Sequence, residues 1–208
     1  MIPFSPPRID QQIIDAVNDV LRSGWITTGP RTREFESLLK DYTHCSEVVC
    51  VNSASAGLEL ILRWFGVGPG DEVIVPAYTY AATANVVIHC GATPVFADSD
   101  PNDFNITVEE IRKNITPSTK VIIPVDLGGF PCDYDAINEL VADPEIKSLF
   151  VADNENQKML GRILVLSDAA HSIGATYKSK RTGALTDVTV FSFHAVKNLT
   201  TAEGGAIC

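Results

Sequence analysis

VVCVNSASAGLELILRWFGVGPGDEVIVPAYTYAATANVVIHCGATPVFADSD, residues 48–100, holds three short apolar runs separated by two stretches of helical spacing. VVCVNS (48–53), EVIVPAY (72–78) and TPVFADSD (93–100) are strand-length and rich in β-branched residues. Between the first two, SAGLELILRWFG (55–66) puts Leu58, Ile61, Leu62 and Phe65 on one helical face. Between the second and third, ATANVVIHCG (82–91) is helix-like. Strand, helix, strand, helix, strand is the rhythm of βαβ units, which place parallel strands in one sheet under covering helices.

The rhythm continues outward. TVEEIRKNI (107–115) opens with Thr107 and Glu110 in a capping-box pattern, KVIIPVDL (120–127) is a fourth strand, and DYDAINELVAD (133–143) a further helix. RILVLSD (162–168) and VTVFSF (188–193) are two more strands, and TYKSKRTGAL (176–185) a polar hairpin or loop. The stretch 143–161 reads as one strand and a polar loop. The expected architecture is α/β, a three-layer sandwich around a mainly parallel sheet. Residues 1–30 form an N-terminal arm or helix ahead of one domain over 31–208.

Composition narrows the function. The 208 residues are 45% hydrophobic and 20% charged, enough apolar material for a substantial core. A formal net charge of −10 with no basic run argues against nucleic acid, since phosphate binding rests on clustered Lys and Arg. Five scattered cysteines (Cys45, Cys50, Cys90, Cys132, Cys208) with no C-x-x-C pair suggest buried thiols rather than a disulfide framework or a metal site. MIPFSPPRID carries no signal-peptide core, and no apolar run reaches the roughly 20 residues of a membrane helix, so a cytoplasmic protein without a membrane partner is expected. The glycines of GVGPGD (66–71) follow a helix and open a strand, the reverse of the dinucleotide fingerprint. The final GGAIC begins another strand-like segment, which suggests the N-terminal part of a longer polypeptide.

In open α/β sheets ligands sit beyond the carboxyl ends of strands. Ser53, Ala54 and Ser55 fall between a strand and a helix, where free N–H groups and the helix dipole suit a phosphate; taken alone, a plain serine N-cap is the more ordinary reading. Asp168 ends an apolar strand and either caps the next turn or faces a cation. If the chain stays extended, Ala170 points the same way and leaves room for a flat ring, to which His171 could donate, although a lone histidine is more often a satisfied core residue. Ser192 and His194 share a face as their strand ends, and Lys197 follows within one turn. A lysine held there forms an imine with an aldehyde if burial or a nearby cation keeps its amine partly neutral. The glycines of AEGG (202–205) let backbone pass close by. An anion-ready helix start, an acid for a ring nitrogen, a small residue beneath the ring and an imine-forming lysine together match pyridoxal phosphate.

The chain resembles the DegT/StrS-type pyridoxal-phosphate-dependent nucleotide-sugar aminotransferases, within the aspartate aminotransferase superfamily of fold type I. The likeness runs in family order through GWITTGP (24–30), NSASAGLELIL (52–62), GVGPGDEVIVPAYTYAATANVV (66–87), GATPVFADSDPNDFNI (91–106), ITPSTKVIIPVDLGGFPCDYDAI (115–137), SDAAHSIGATY (167–177) and SFHAVKNLTTAEGG (192–205). The last two segments look most like the branch that aminates UDP-4-keto-pentoses. The resemblance implies that Lys197 is the catalytic Schiff-base lysine and proton shuttle, that Asp168 pairs with the pyridine nitrogen, and that His171 contacts the ring hydroxyl. It also implies that Ala54, Ser55 and Ser192 hold the phosphate, with Tyr80 stacked on one ring face and Ala170 beneath the other. Glutamate would be the amino donor, a nucleotide-linked keto-sugar the acceptor, and the full-length protein a homodimer. Residues 31–208 would be the cofactor-binding large domain, with the C-terminal small domain absent. The alternatives are a sugar dehydratase on the same scaffold, against which Lys197 counts because those relatives carry histidine there, and a truncated non-catalytic fragment.

Overall fold

The computed structural model describes residues 5–208. Helices α1 (Gln11–Ser23) and α2 (Pro30–Thr43) precede the alternating region. There follow β1 (Val49–Val51), α3 (Ala54–Trp64), β2 (Glu72–Pro76), α4 (Ala82–His89), β3 (Thr93–Ala97), α5 (Val108–Asn114) and β4 (Thr119–Ile122). After a short 3-10 turn over Leu127–Gly129 come α6 (Tyr134–Ala142), α7 (Pro144–Leu149), α8 (Glu155–Leu160) and β5 (Leu164–Asp168). A hairpin of β6 (Thr176–Tyr177) and β7 (Lys180–Arg181), then β8 (Val188–Ser192) and β9 (Gly205–Ile207), complete the chain.

Seven strands form one sheet in the order β1-β9-β8-β5-β4-β2-β3. The run from β8 to β3 is parallel throughout, and β9 lies antiparallel to both β1 and β8. The central strands are apolar on both faces because both faces are covered. Val73 and Val75 of β2 pack with Leu58 and Leu62 of α3, with Phe65 just past its end and with α4, while Ile74 between them faces α5 and α6. Leu164 and Leu166 of β5 likewise face α3 while Val165 faces α6. Phe191 and Phe193, around the end of β8, pack against Leu39 of α2. The expected three-layer α/β sandwich is therefore the observed one.

Local details follow from particular residues. Thr107 caps α5 by accepting from the Glu110 N–H, but the Glu110 carboxylate turns to Lys113, so only half of the expected capping box forms. The hairpin over 176–181 turns through Lys178 and Ser179, both at positive φ (47° and 68°). None of the residues of α1 is buried, and its Ile13, Ile14, Val17 and Leu21 are exposed. The five cysteines are free thiols; Cys45, Cys50 and Cys208 are not scattered in space but pack at the edge of one cluster beside β9.

The stretch 143–161 departs from expectation, since it contains two short helices and no strand. Asp143 and Pro144 start α7, and Asn154 caps α8 by accepting from the Gln157 N–H. The stretch closes the end of α3. Both Asn154 Nδ2 and Gln157 Nε2 donate to the Phe65 carbonyl, at 2.9 and 2.8 Å, and Asn156 Nδ2 donates to that of Trp64 at 2.8 Å. Phe150 stacks on Phe65, and the buried Lys120 ammonium binds the Val151 carbonyl and the Asp153 carboxylate. Gln157→Ala, which strips a fully buried amide from the Phe65 carbonyl and the Asp153 N–H, is expected to cost about 1–3 kcal/mol in urea unfolding.

Candidate active site

A cavity of about 490 Å³ opens at the carboxyl ends of the parallel strands, a volume within the range of small-ligand pockets. Every residue singled out from the sequence lines it. Ser53, Ala54 and Ser55 come from the start of α3, Tyr80 from the loop after β2, Asp168, Ala170 and His171 from the end of β5, and Ser192, His194 and Lys197 from the end of β8. The carboxylate ends β5 and the amine follows β8; one crossover carrying the β6–β7 hairpin separates these strands in sequence, and their parallel pairing brings both groups to one opening.

At the start of α3 the two readings coexist. Ser53 Oγ caps the helix by accepting from the Ala56 N–H at 3.1 Å. Among the described residues the N–H groups of Ala54 and Ser55 find no acceptor, and they belong to the first turn, where the helix dipole is positive. The helix start approaches β9 so closely that Gly205 has no room for a side chain. A Cβ there would lie 2.7 Å from the Ala54 nitrogen and 2.8 Å from the Phe191 oxygen.

Asp168 is 6% exposed. Its Oδ2 accepts from Thr83 Oγ1 at 2.9 Å and its Oδ1 from the Ala170 N–H at 3.3 Å. Among the described residues no Lys, Arg or His reaches it within salt-bridge distance. Burial pushes its carboxyl above the usual carboxylate range, and the two hydrogen bonds pull it back only in part. The backbone does not continue extended beyond Asp168 as expected; it turns from Ala170 through Gly174, and Ala170 reaches the cavity from that turn.

Lys197 sits in a turn closed by its own N–H on the His194 carbonyl at 2.9 Å. Desolvation lowers its ammonium below the ordinary lysine value, with the Asp168 charge opposing. His171 is also lowered, first by burial and then by the Lys197 charge, which keeps its imidazole neutral near pH 7. Tyr80 stands at the mouth of the cavity, 82% exposed.

Sequence reasoning missed two residues. Thr83, fully buried in the first turn of α4, is the side-chain partner of Asp168 and is itself met by Thr79 Oγ1 at 2.9 Å. The i, i+4 spacing of Thr79 and Thr83 was the available signal, hidden because that segment read only as a helix. Asp126, after β4, also lines the cavity.

Comparison with known proteins places the chain in a family. The model of the DegT/DnrJ/EryC1/StrS aminotransferase family matches residues 7–153 and 158–208. The chain belongs to that family. The break in the match, at 154–157, falls on the start of α8. Among relatives of this aminotransferase-family chain, the spore coat polysaccharide biosynthesis protein SpsC of Bacillus subtilis is 43% identical over 206 residues, 99% of this chain and 49% of that protein. A protein of Shewanella sediminis named UDP-4-amino-4-deoxy-L-arabinose–oxoglutarate aminotransferase is 44% identical over 204 residues, 98% of this chain and 48% of that one. Among solved structures, Spr1654 of Streptococcus pneumoniae, described as a candidate sugar aminotransferase and solved in its PLP form, superposes with a TM-score of 0.96. It is 52% identical, and the match covers 99% of this chain and 52% of that one. The chain thus spans about half the length of the relatives it matches. Among the described residues no helix is long and apolar enough to cross a membrane.

Proposed function

We propose that this chain is the cofactor-binding part of a pyridoxal-phosphate-dependent aminotransferase that moves an amino group from glutamate to a nucleotide-linked keto-sugar. The observation that carries the reading is the meeting of Lys197, Asp168 and the start of α3 at one cavity. The residues fit the cofactor on a specific point. Asp168 is a buried carboxylate with no cation within salt-bridge distance among the described residues, and a protonated ring nitrogen is the partner such a group lacks. The donor and acceptor classes are supported by family membership and by the Shewanella relative, whose name joins a UDP-amino-sugar to oxoglutarate, the keto acid left by glutamate.

When bound, the cofactor supplies an aldehyde for imine exchange and a ring that accepts electrons. The chain's residues do the rest. Lys197 presents an amine whose lowered affinity for protons leaves more of it neutral, and so nucleophilic and able to take up a substrate proton at Nζ. Asp168, held by Thr83 and the Ala170 N–H, keeps a facing N–H positively charged. The Ala54 and Ser55 N–H groups with the Ser192 hydroxyl bind phosphate, the neutral His171 donates one hydrogen bond, and Ala170 and Tyr80 bound the space for a flat ring. In this reading residues 31–208 form the large domain, and a further domain and a second subunit complete the enzyme.

The test is an assay of the full-length enzyme with glutamate and a panel of keto-sugar nucleotides. Formation of an amino-sugar nucleotide with equimolar oxoglutarate is expected; sugar deoxygenation without amino transfer would replace the reading with the dehydratase. In the same protein Gly205→Ala is expected to push the start of α3 away from β9, weaken pyridoxal phosphate binding at least about tenfold, and cost about 1–3 kcal/mol in stability through overpacking.

A further inference from the structure

We propose that Asp126 is a positioning residue for this site: its carboxylate ties the turn after β4 to the turn after β5 and so fixes the Asp168 carboxylate and the His171 ring at the cavity. The proposal rests on the function inferred above and concerns a residue outside the set that the sequence pointed to.

Asp126 is 1% exposed, yet it carries a carboxylate rather than an apolar group. Three donors converge on it. Ser172 Oγ donates to Oδ2 at 2.5 Å, while Tyr134 Oη and the Cys132 N–H donate to Oδ1 at 2.5 and 3.1 Å. The single proton of Tyr134 is thereby spent, so Ser167 Oγ, at 2.6 Å, must donate to the tyrosine oxygen. Ser172 follows His171 directly, and Ser167 precedes Asp168 directly, so the network grips both sides of the segment that carries the acid and the imidazole.

The backbones of the two turns are locked as well. The Asp126 N–H donates to the Asp168 carbonyl at 3.1 Å, and the Asp168 N–H donates to the Pro124 carbonyl at 2.9 Å. Gly129, at φ +88°, sits so near that a Cβ on it would lie 2.7 Å from the His171 carbonyl oxygen. The Ser172 carbonyl accepts from Thr182 Oγ1 at 2.6 Å, which holds the far side of the turn.

A purely structural tie would not need this residue type. Burial pushes the Asp126 carboxyl upward, the neighbouring Asp168 adds to that, and among the described residues no cation lies within salt-bridge distance of it. A buried carboxylate without a cation is costly where a neutral amide or apolar pair would serve. The cost has a reason at a site that holds a protonated ring: a second fixed negative group beside Asp168 reinforces its hold on a positive ring nitrogen. Two buried acids on adjacent strand ends, both lining the cavity, make that arrangement.

The experiment uses the full-length protein and pyridoxal phosphate itself. Ser172→Ala cuts the tie and leaves the carboxylate; Asp126→Asn keeps the shape and removes the charge. Cofactor affinity by absorbance titration, the induced circular dichroism of the bound cofactor and the melting temperature without cofactor are measured for each. Both variants are expected to bind pyridoxal phosphate about tenfold more weakly, the order seen when a partner behind a ligating side chain is lost, with an altered dichroic band. If folded variants keep wild-type affinity and the wild-type band, Asp126 is only structural and the proposal is overturned. Should Asp126→Asn not fold, Ser172→Ala decides alone by the same criterion. A wild-type protein that takes up no pyridoxal phosphate would instead remove the aminotransferase reading, and this proposal with it.

Discussion

Lys197→Arg in the full-length enzyme is expected to reduce amino transfer from glutamate by about 10⁴-fold or more. General acid–base catalysis alone contributes about 10²–10⁴, and this position is also asked to exchange imines. Arginine keeps the charge and most of the volume, but its guanidinium does not lose its proton and cannot form the imine. The loss therefore tests the chemistry of the amine and not the filling of the cavity. The pH dependence has a definite sign. Burial lowers the Lys197 ammonium, so at any given pH more of the amine is neutral than in an exposed lysine. Imine formation with pyridoxal phosphate should accordingly extend to lower pH than it does with a model alkylamine, followed by absorbance. Retention of activity within tenfold in the variant would contradict the assignment.

The second large effect is at Asp168. Replacement by asparagine is expected to lower turnover by about 10²–10³, the scale of removing one preorganised charge partner. Stability should move the other way. Burial raises the folded-state value of this carboxyl above its unfolded value, so the folded state loses stability as pH climbs through that window, and at pH 7 the ionised group is a burden on the cofactor-free protein. Asp168→Asn without cofactor should melt at the same or a higher temperature than wild type at pH 7, and the gap should close as pH falls. An activity loss accompanied by a lower melting temperature would mean that Asp168 serves the fold.

The sheet was legible because its central strands are buried on both faces. VIV (73–75), VII (121–123) and ILVL (163–166) are continuous apolar runs, and the helices between them carry their own 3.6-residue spacing. The direction of β9 was not legible, because a short strand's pattern reveals its faces and not its neighbours. The helices α7 and α8 escaped for a related reason. Each has six residues, too few to show a period, and the contacts that hold them go to the distant Phe65 and Lys120. At the site, residues whose chemistry is unusual for their position could be found. A lysine in a turn after a strand and an acid at a strand's end stand out. Thr83 and Asp126 did not, since a threonine in a helix and an aspartate before two glycines each have ordinary local explanations, and only the tertiary contact to Asp168 or its turn gives them a role.

The most direct measurement is to reduce the complex of the full-length protein and pyridoxal phosphate with borohydride, digest it, and locate the pyridoxyl adduct by mass spectrometry. A single adduct on the peptide containing Lys197 is the result this account requires. An adduct spread over surface lysines, or one fixed at another position while Lys197 stays unmodified, would mean that the cavity between β5 and β8 is not where the aldehyde is held.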